Sequence, residues 1–176
     1  MAIGPKTKKN LEEAFAGESM ARNKYTYFAS LFRKAGFVQI ANIFEETANN
    51  EKEHAKLWAK QLGLIGDTFE CLAAAIAGEK FESEKMYPRM AKEAKEEGHE
   101  DLAKMFTEVG EVEEAHRTRY EKLLKNLKTN KVFKKAKKMQ WKCDNCGYIH
   151  TDKEAPGKCP ACSHPQAYFE LLVENY

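Results

Sequence analysis

The stretch Asn50-Glu51-Lys52-Glu53-His54 decides the fold, because it puts two polar side chains where a helix bundle needs apolar ones. Glu51 and His54 are three residues apart, so they lie on one face of a helix. Mostly apolar residues precede and follow them on that face at steps of three and four: Ile40, Phe44, Thr47, Trp58 and Leu62. This spacing predicts an inward-facing seam, where an unpaired carboxylate is costly to bury. A positive partner must therefore neutralise it.

Three further stretches place polar side chains on similar seams. Val112-Glu113-Glu114-Ala115-His116 repeats the Glu-x-x-His pattern, and Glu18 and Glu79 each follow an Ala-Gly pair on a seam of their own. The order Glu, Glu-x-x-His, Glu, Glu-x-x-His is typical of carboxylate-bridged di-metal sites in ferritin-like bundles. The sequence therefore predicts a mainly α fold, with a ferritin-like four-helix bundle around two metal ions.

The helical part reads as an internal duplication. The single glutamates of the two halves, Glu18 and Glu79, are 61 residues apart, whereas the members of the Glu-x-x-His pairs are 62 apart. The halves differ one turn after the first glutamate, where one has Ala21 and the other has Glu82. We interpret Glu82 as a spare carboxylate that breaks the symmetry of the repeat.

Glycines, caps and a change of composition predict the domain organisation. The first helix is predicted to begin near a cap at Asn10, with Thr7 as a competing cap, and Pro88 predicts a kink near Tyr87 inside the third helix. A segment as small as the last one cannot build a sufficient apolar core, so a metal must stabilise it. The predicted helices cover about 10–35, 37–62, 69–97 and 99–127. The predicted divisions are a bundle at 1–130, a Lys-rich linker at 131–138 and a β/loop metal domain at 139–176.

Composition restricts the class of protein. The formal net charge of +2 gives no case for nucleic-acid binding. The longest clean apolar run, Cys71 to Ala77, is far too short to span a bilayer, and Met1 to Lys6 lacks the apolar core of a signal peptide. We therefore expect a soluble cytoplasmic protein without a membrane partner.

Four of the five cysteines form two Cys-x-x-Cys pairs, which predict a tetrahedral sulfur site. From spacing alone zinc and a single iron both suit four thiolates, so a structural zinc ribbon remains an alternative. The pairs resemble the knuckles of rubredoxin, except that Ser163 stands where the second knuckle usually has Gly. The four predicted ligands are Cys143, Cys146, Cys159 and Cys162.

A ferritin-like bundle followed by a rubredoxin-like tail resembles the rubrerythrin family. The residues that carry the resemblance are Ala16 to Asn23, Glu51 to Ala55, Glu79 to Pro88 and Cys143 to Pro165. The resemblance implies two iron ions in an oxo- and carboxylate-bridged site and one iron in the tetrathiolate, with zinc as a possible substitute.

The resemblance also implies roles for the ligands of the di-iron site. Glu18 and Glu79 look like terminal carboxylates, one for each iron. Glu51 and Glu113 look like bridging ligands, and His116 looks like the constant imidazole ligand of one iron.

Glu82 and His54 look like two ligands that exchange at the other iron, with Glu82 bound in the diferric state and His54 in the diferrous state. A ferric ion prefers an anionic oxygen and a ferrous ion accepts a neutral nitrogen, so the spare carboxylate explains the broken repeat. Geometry leaves Tyr25 and Tyr87 open between core aromatics and hydrogen-bond donors to the ligands. The resemblance favours the donor role, so these four residues are the expected catalytic groups.

The activity implied is that of a peroxidase, an oxidoreductase that reduces hydrogen peroxide to water and protects against oxidative stress. Electrons would reach the di-iron site through the tetrathiolate iron, from rubredoxin or a separate NAD(P)H-dependent reductase, because no Gly-x-Gly-x-x-Gly follows a strand. Since the tail begins at a bundle end, we expect it to serve a neighbouring subunit in a head-to-tail homodimer or a higher homo-oligomer. Two alternatives remain, a ferroxidase or iron-storage protein and a non-catalytic protein with structural zinc.

Overall fold

The computed structural model describes residues 3–175 and confirms a mainly α chain with a small β region at its end. It divides into two compact units, one ending at Cys71 and the other beginning at Leu72. Among the described residues, no helix is long and apolar enough to cross a membrane. The helical elements are α1 (Pro5–Lys34), α2 (Val38–Gln61), α3 (Thr68–Phe81), a π-helical turn (Glu82–Met86), α4 (Tyr87–Glu96) and α5 (Glu100–Lys128). The strands are β1 (Lys134–Cys143), β2 (Ile149–Glu154) and β3 (Phe169–Leu171).

Helices α1 and α2 form an antiparallel hairpin in the first unit. The chain reverses at Gly36, whose φ of 87° is the left-handed conformation expected of a glycine after a helix end. Phe32 stacks on Phe44 with ring centroids 5.5 Å apart, and alanines let the two backbones approach closely. The buried alanines of the pair are Ala29, Ala41, Ala48, Ala55 and Ala59.

The first helix begins earlier than the sequence predicted. Its N-cap is Gly4 and not Asn10, and Pro5 occupies the first turn. Proline suits this position because the first backbone N–H groups of a helix have no partner within the helix. By contrast, the third helix has a side-chain cap, since Oδ1 of Asp67 accepts hydrogen bonds from the backbone N–H of Phe69 and Glu70, both at 2.8 Å.

The third helical segment contains the irregularity that was predicted near Tyr87, but its form is different. The helix widens into one π-helical turn before Tyr87, and Pro88, which has no backbone N–H to donate, follows this turn directly. Helix α5 packs against this segment at close range. A Cβ added to Gly110 would lie 3.1 Å from Cβ of Tyr87, so the absence of a side chain there allows the contact.

The β region is a three-stranded antiparallel sheet of order β2-β1-β3. Its first strand begins at Lys134, inside the segment 131–138 that was predicted to be a linker. Lysines occupy both faces of the first half of this strand, so that half reads as a linker, whereas Trp141 and Cys143 further along are buried and face inward. The limits predicted for the bundle, the linker and the metal domain remain predictions. The core of the sheet consists of Trp141, Cys143, Ala155, Cys159 and Phe169.

Candidate metal centres

The first unit brings together Glu18, Glu51 and His54 near the middle of the α1–α2 hairpin. One turn of α2 separates Glu51 from His54, and Nδ1 of His54 lies 2.7 Å from Oε2 of Glu51. Glu18 approaches from α1, with its Oε1 at 3.9 Å from the same nitrogen. The antiparallel pairing therefore gathers the three predicted residues into one group.

The second unit repeats this arrangement with Glu79 from α3 and the Glu113–His116 pair from α5. Nδ1 of His116 lies 2.8 Å from Oε2 of Glu113 and 3.6 Å from Oε2 of Glu79. The two trios thus share residue types, hydrogen-bond pattern and the helix positions from which they come. This correspondence supports the internal duplication that the sequence predicts.

Each trio fits a single metal ion. Two ligand atoms with bonds of about 2.1 Å to one ion lie up to about 4.2 Å apart. The distances from the histidine nitrogens to the carboxylates of Glu18 and Glu79, 3.9 Å and 3.6 Å, already fall within that limit. The donor set, two carboxylates and an imidazole, suits an ion of intermediate hardness such as ferrous iron.

Burial and charge differ between the trios. The side chains of Glu51, Glu79 and Glu113 are 15–19% exposed, whereas Glu18 is 30% and His54 is 52% exposed, so the predicted inward-facing position is found for three of the carboxylates and not for Glu18 or His54. Desolvation raises the pKa of Glu79, and a hydrogen bond and the negative charge from Glu113 raise it further. A carboxylate held in this way gains from a bound cation, which replaces the missing water and offsets the repulsion.

The four predicted cysteines form the third candidate site. Sγ of Cys143 lies 3.7 Å from Sγ of Cys162, and Sγ of Cys146 lies 3.7 Å from Sγ of Cys159. Metal–sulfur bonds of about 2.3 Å in a tetrahedron place sulfur atoms about 3.8 Å apart, so the cage has the size that a tetrathiolate metal needs. A hydrogen bond from the backbone of His164 lowers the pKa of Cys162 to about 6.

Comparison with known proteins matches both parts of the chain. The rubrerythrin family profile matches residues 9–124 and 70–144, and the profile of the rubredoxin-like domain of rubrerythrin matches residues 141–170. The chain is 47% identical over 186 positions to rubrerythrin of Porphyromonas gingivalis, covering 98% of this chain and 93% of that protein. It is 49% identical over 190 positions to rubrerythrin-1 of Clostridium acetobutylicum, covering 98% and 97%.

This chain belongs to the rubrerythrin family. A structure of mixed-valence nigerythrin aligns with 98% of this chain and 88% of its own, at 31% identity and a TM-score of 0.36. Membership establishes the ferritin-like fold class and the cofactors, namely a carboxylate-bridged di-iron site and one tetrathiolate iron. The two trios and the cysteine cage are the groups that hold these ions.

The other predicted site residues lie close to the second trio or on the first hairpin. Burial raises the pKa of Tyr87 above its usual value, and the charges of Glu113 and Glu82 raise it further. Glu82 itself is not part of the group formed by Glu79, Glu113 and His116 in the described residues. Tyr25 lies against Phe44, with ring centroids 5.8 Å apart.

The sequence did not reveal a polar cluster beside the second trio. The hydroxyl of Ser83 lies 2.8 Å from the backbone oxygen of Glu79 and 3.3 Å from Oε2 of Glu114, so its single hydrogen is shared between two acceptors. Glu114 in turn forms a two-point ion pair with Arg117. Only one sequence signal hinted at anything unusual here, the change of the repeat offset from 61 to 62 residues between Glu79 and the second Glu-x-x-His pair.

Proposed function

We propose that the chain is a peroxidase that reduces hydrogen peroxide to water and protects against oxidative stress. The observation that supports this is the presence, on one chain, of two carboxylate–imidazole trios and a four-sulfur cage. Bound iron would supply two electrons at the trios, the number needed to cleave an O–O bond without releasing a radical, and one electron at a time at the sulfur cage. The combination of trios and sulfur cage favours a site that an electron donor reduces again after each reaction. A protein that only binds metal would not need the cage.

The proposed ligand roles are those that the resemblance to the rubrerythrin family implies. Glu18 and Glu79 act as terminal carboxylates, and each reaches its trio from a different helix than the Glu-x-x-His pair. Glu51 and Glu113, the least exposed members, act as bridging ligands. His116 is the constant imidazole ligand, and its 36% exposure is lower than the 52% of His54.

Glu82 and His54 are the ligands proposed to exchange. His54 is the most exposed of the trio residues, so its ring has room to move away from the ion. Glu82 begins a π-helical turn, where the backbone is wider and less strongly bonded than in an α-helix. Both partners of the exchange therefore occupy the less constrained positions of the site.

Protons for the reaction come from tyrosine hydroxyls and carboxyl groups of the site. Tyr87 stays protonated because burial, followed by the charges of Glu113 and Glu82, raises its pKa. Its hydroxyl can therefore donate a hydrogen bond to an oxygen atom near those carboxylates and help to relay a proton that a carboxyl group supplies. Tyr25 is the equivalent residue of the first hairpin, where it packs against Phe44 as Tyr87 packs against Phe106.

Electrons enter through the cysteine cage from a separate donor, either rubredoxin or an NAD(P)H-dependent reductase. Along α5 the rise of about 1.5 Å per residue puts the helix end roughly 18 Å from His116. Electron transfer weakens steeply with distance, so the proposal includes a head-to-tail homodimer in which a tail serves the trios of its neighbour.

Stopped-flow reoxidation of the fully reduced, iron-loaded protein tests the activity. We expect hydrogen peroxide to reoxidise the protein much faster than dioxygen does. The matched variant is Cys143→Ser/Cys159→Ser, which should keep this single reoxidation but lose continuous turnover with the reductase. A ferroxidase would instead prefer dioxygen with excess ferrous iron and would be indifferent to the cysteine substitutions, and that result would refute the proposal.

A further inference from the structure

The π-helical turn marks a one-residue insertion in the second half of the repeat. Tyr25 follows Glu18 by seven residues, whereas Tyr87 follows Glu79 by eight. Beyond this point the halves correspond again, because Tyr25 contacts Phe44 and Tyr87 contacts Phe106, each pair 19 residues apart. A π-turn accommodates one extra residue in an otherwise α-helical segment. The inserted residue therefore lies between Glu79 and Tyr87, where Glu82–Met86 form that turn.

Side chains of α5 hold this turn at two points. The hydroxyl of Ser83 lies 3.3 Å from Oε2 of Glu114, and Nη1 of Arg117 lies 3.7 Å from Oε1 of Glu84. Arg117 also pairs with Glu114 and reaches Glu121 at 3.5 Å, so one guanidinium group connects three carboxylates. We call Ser83, Glu84, Glu114 and Arg117 the latch.

The latch is specific to the half that contains the insertion. At the repeat distance of 62 residues, Glu114 corresponds to Lys52 and Arg117 to the buried Ala55. The first hairpin therefore cannot form the same ion pair. Next to the latch, a cleft of about 380 Å³ separates α4 from α5, with Ser83 and Glu114 among its lining residues. The open cleft leaves the turn room to shift on that side, so the latch is the polar connection that restrains it.

We propose that the latch positions the π-turn so that Glu82 is presented as an iron ligand, with Arg117 as the positioning residue. This inference rests on the proposed exchange of Glu82 and His54. Without the latch the turn samples other arrangements, and a carboxylate that is not held in place binds the ferric ion less well. Since the ferric state depends most on an anionic oxygen ligand, losing the latch shifts the equilibrium toward the diferrous state.

Two measurements on Arg117→Ala test the proposal, with Arg89→Ala as the matched control. Arg89 forms a similar ion pair with Glu93, and both residues lie on α4 rather than on the π-turn. In the metal-free protein, backbone amides at 82–86 should exchange with deuterium about two- to fivefold faster in Arg117→Ala and unchanged in Arg89→Ala. In the iron-loaded protein, the midpoint potential of the di-iron site should rise in Arg117→Ala, recover partly in Arg117→Lys and stay unchanged in Arg89→Ala.

The two readouts separate the possible failures. Unchanged amide exchange at 82–86 would show that the latch does not restrain the turn and would overturn the inference. Faster exchange with an unchanged potential would show a structural contact that does not position Glu82, and would also overturn it. Iron that binds without peroxide reduction would refute the proposed function alone, because the exchange measurement needs no iron and the potential needs no turnover.

Discussion

At the residue scale, one residue of the second cysteine knuckle has a strained backbone conformation, and the sequence already marks its position. Ser163 has a φ of 63°, in the left-handed region that glycine adopts freely and serine does not. It stands at the position that the rubredoxin-like pattern usually gives to Gly, and its backbone N–H donates to the oxygen of Cys159 at 2.9 Å. The fold of the cage therefore imposes this conformation on whatever residue is present.

Replacing this serine should stabilise the cage. We expect Ser163→Gly to slow metal release in guanidinium, by about 1 kcal/mol in unfolding free energy, because the strained conformation is relieved. The opposite change in the first knuckle is the control, since Gly147 has a φ of 78° and an added Cβ would meet no atom within 4 Å. Gly147→Ser should speed release by a similar amount. Equal effects of the same sign would show that backbone strain is not the cause.

The ligands could be predicted residue by residue, but their neighbours could not. Glu51, His54, Glu113 and His116 follow from spacing alone, because a polar pair on an apolar seam needs a partner. The contact of Arg117 with Glu114 has no comparable signal. An arginine three residues from a glutamate is common on helices, and only the folded structure shows that this pair also meets the π-turn.

At the element scale, the four helical segments and the irregularity in the third were predictable, whereas the form of the irregularity was not. Pro88 drew attention to Tyr87, and the π-turn lies directly before this proline. The cause is the extra residue between Glu79 and Tyr87, which the repeat offset records. Strand β1 was missed because four lysines in Lys134–Lys138 mask the alternation on which strand prediction depends.

Deleting one residue from the π-turn should restore a regular helix. Without Lys85, which is exposed, Tyr87 would follow Glu79 by seven residues, as Tyr25 follows Glu18. Because π-helical hydrogen bonds are poorer than α-helical ones, we expect the melting temperature of the metal-free protein to rise by about 2–4 °C.

A deletion at the matching place in α1 is the control for this prediction. Removing Lys24, which is also exposed, takes one residue from a regular α-helix that contains no insertion. The residues beyond it rotate by about 100° relative to the rest of the helix, so the apolar face is broken and the melting temperature should fall. Circular dichroism on both variants provides the measurement. A similar fall for both deletions would contradict the insertion.

At the scale of the whole molecule, the chain combines two kinds of electron chemistry whose sites differ in how they are built. The trios come from long helices and need few local constraints, whereas the cysteine cage lies in a sheet whose small core includes two of its own ligands, Cys143 and Cys159. Metal binding and folding are therefore coupled more tightly in the tail than in the helices. The proposed reaction requires electrons to pass from the cysteine cage to the trios.

Mixing two inactive variants tests whether this electron transfer occurs between subunits. One variant, Glu51→Ala/Glu113→Ala, loses the bridging carboxylates and keeps the cage, while the other, Cys143→Ser/Cys159→Ser, keeps the trios and loses the cage. If each tail serves its neighbour, dissociating and reassociating the mixture should restore about a quarter of wild-type turnover, because half of the random dimers contain one working pathway of two. Turnover with a reductase and iron content of the mixture are the measurements.

The result has a clear alternative. If each tail reduces the trios of its own chain, no dimer in the mixture contains a working pathway, and turnover stays at the level of the separate variants. Dilution distinguishes a subunit pathway from chance encounters, because exchange of electrons between unassociated proteins falls with concentration whereas transfer inside a stable dimer does not. Restored turnover that persists on dilution would therefore establish that a functional unit of this protein contains two chains.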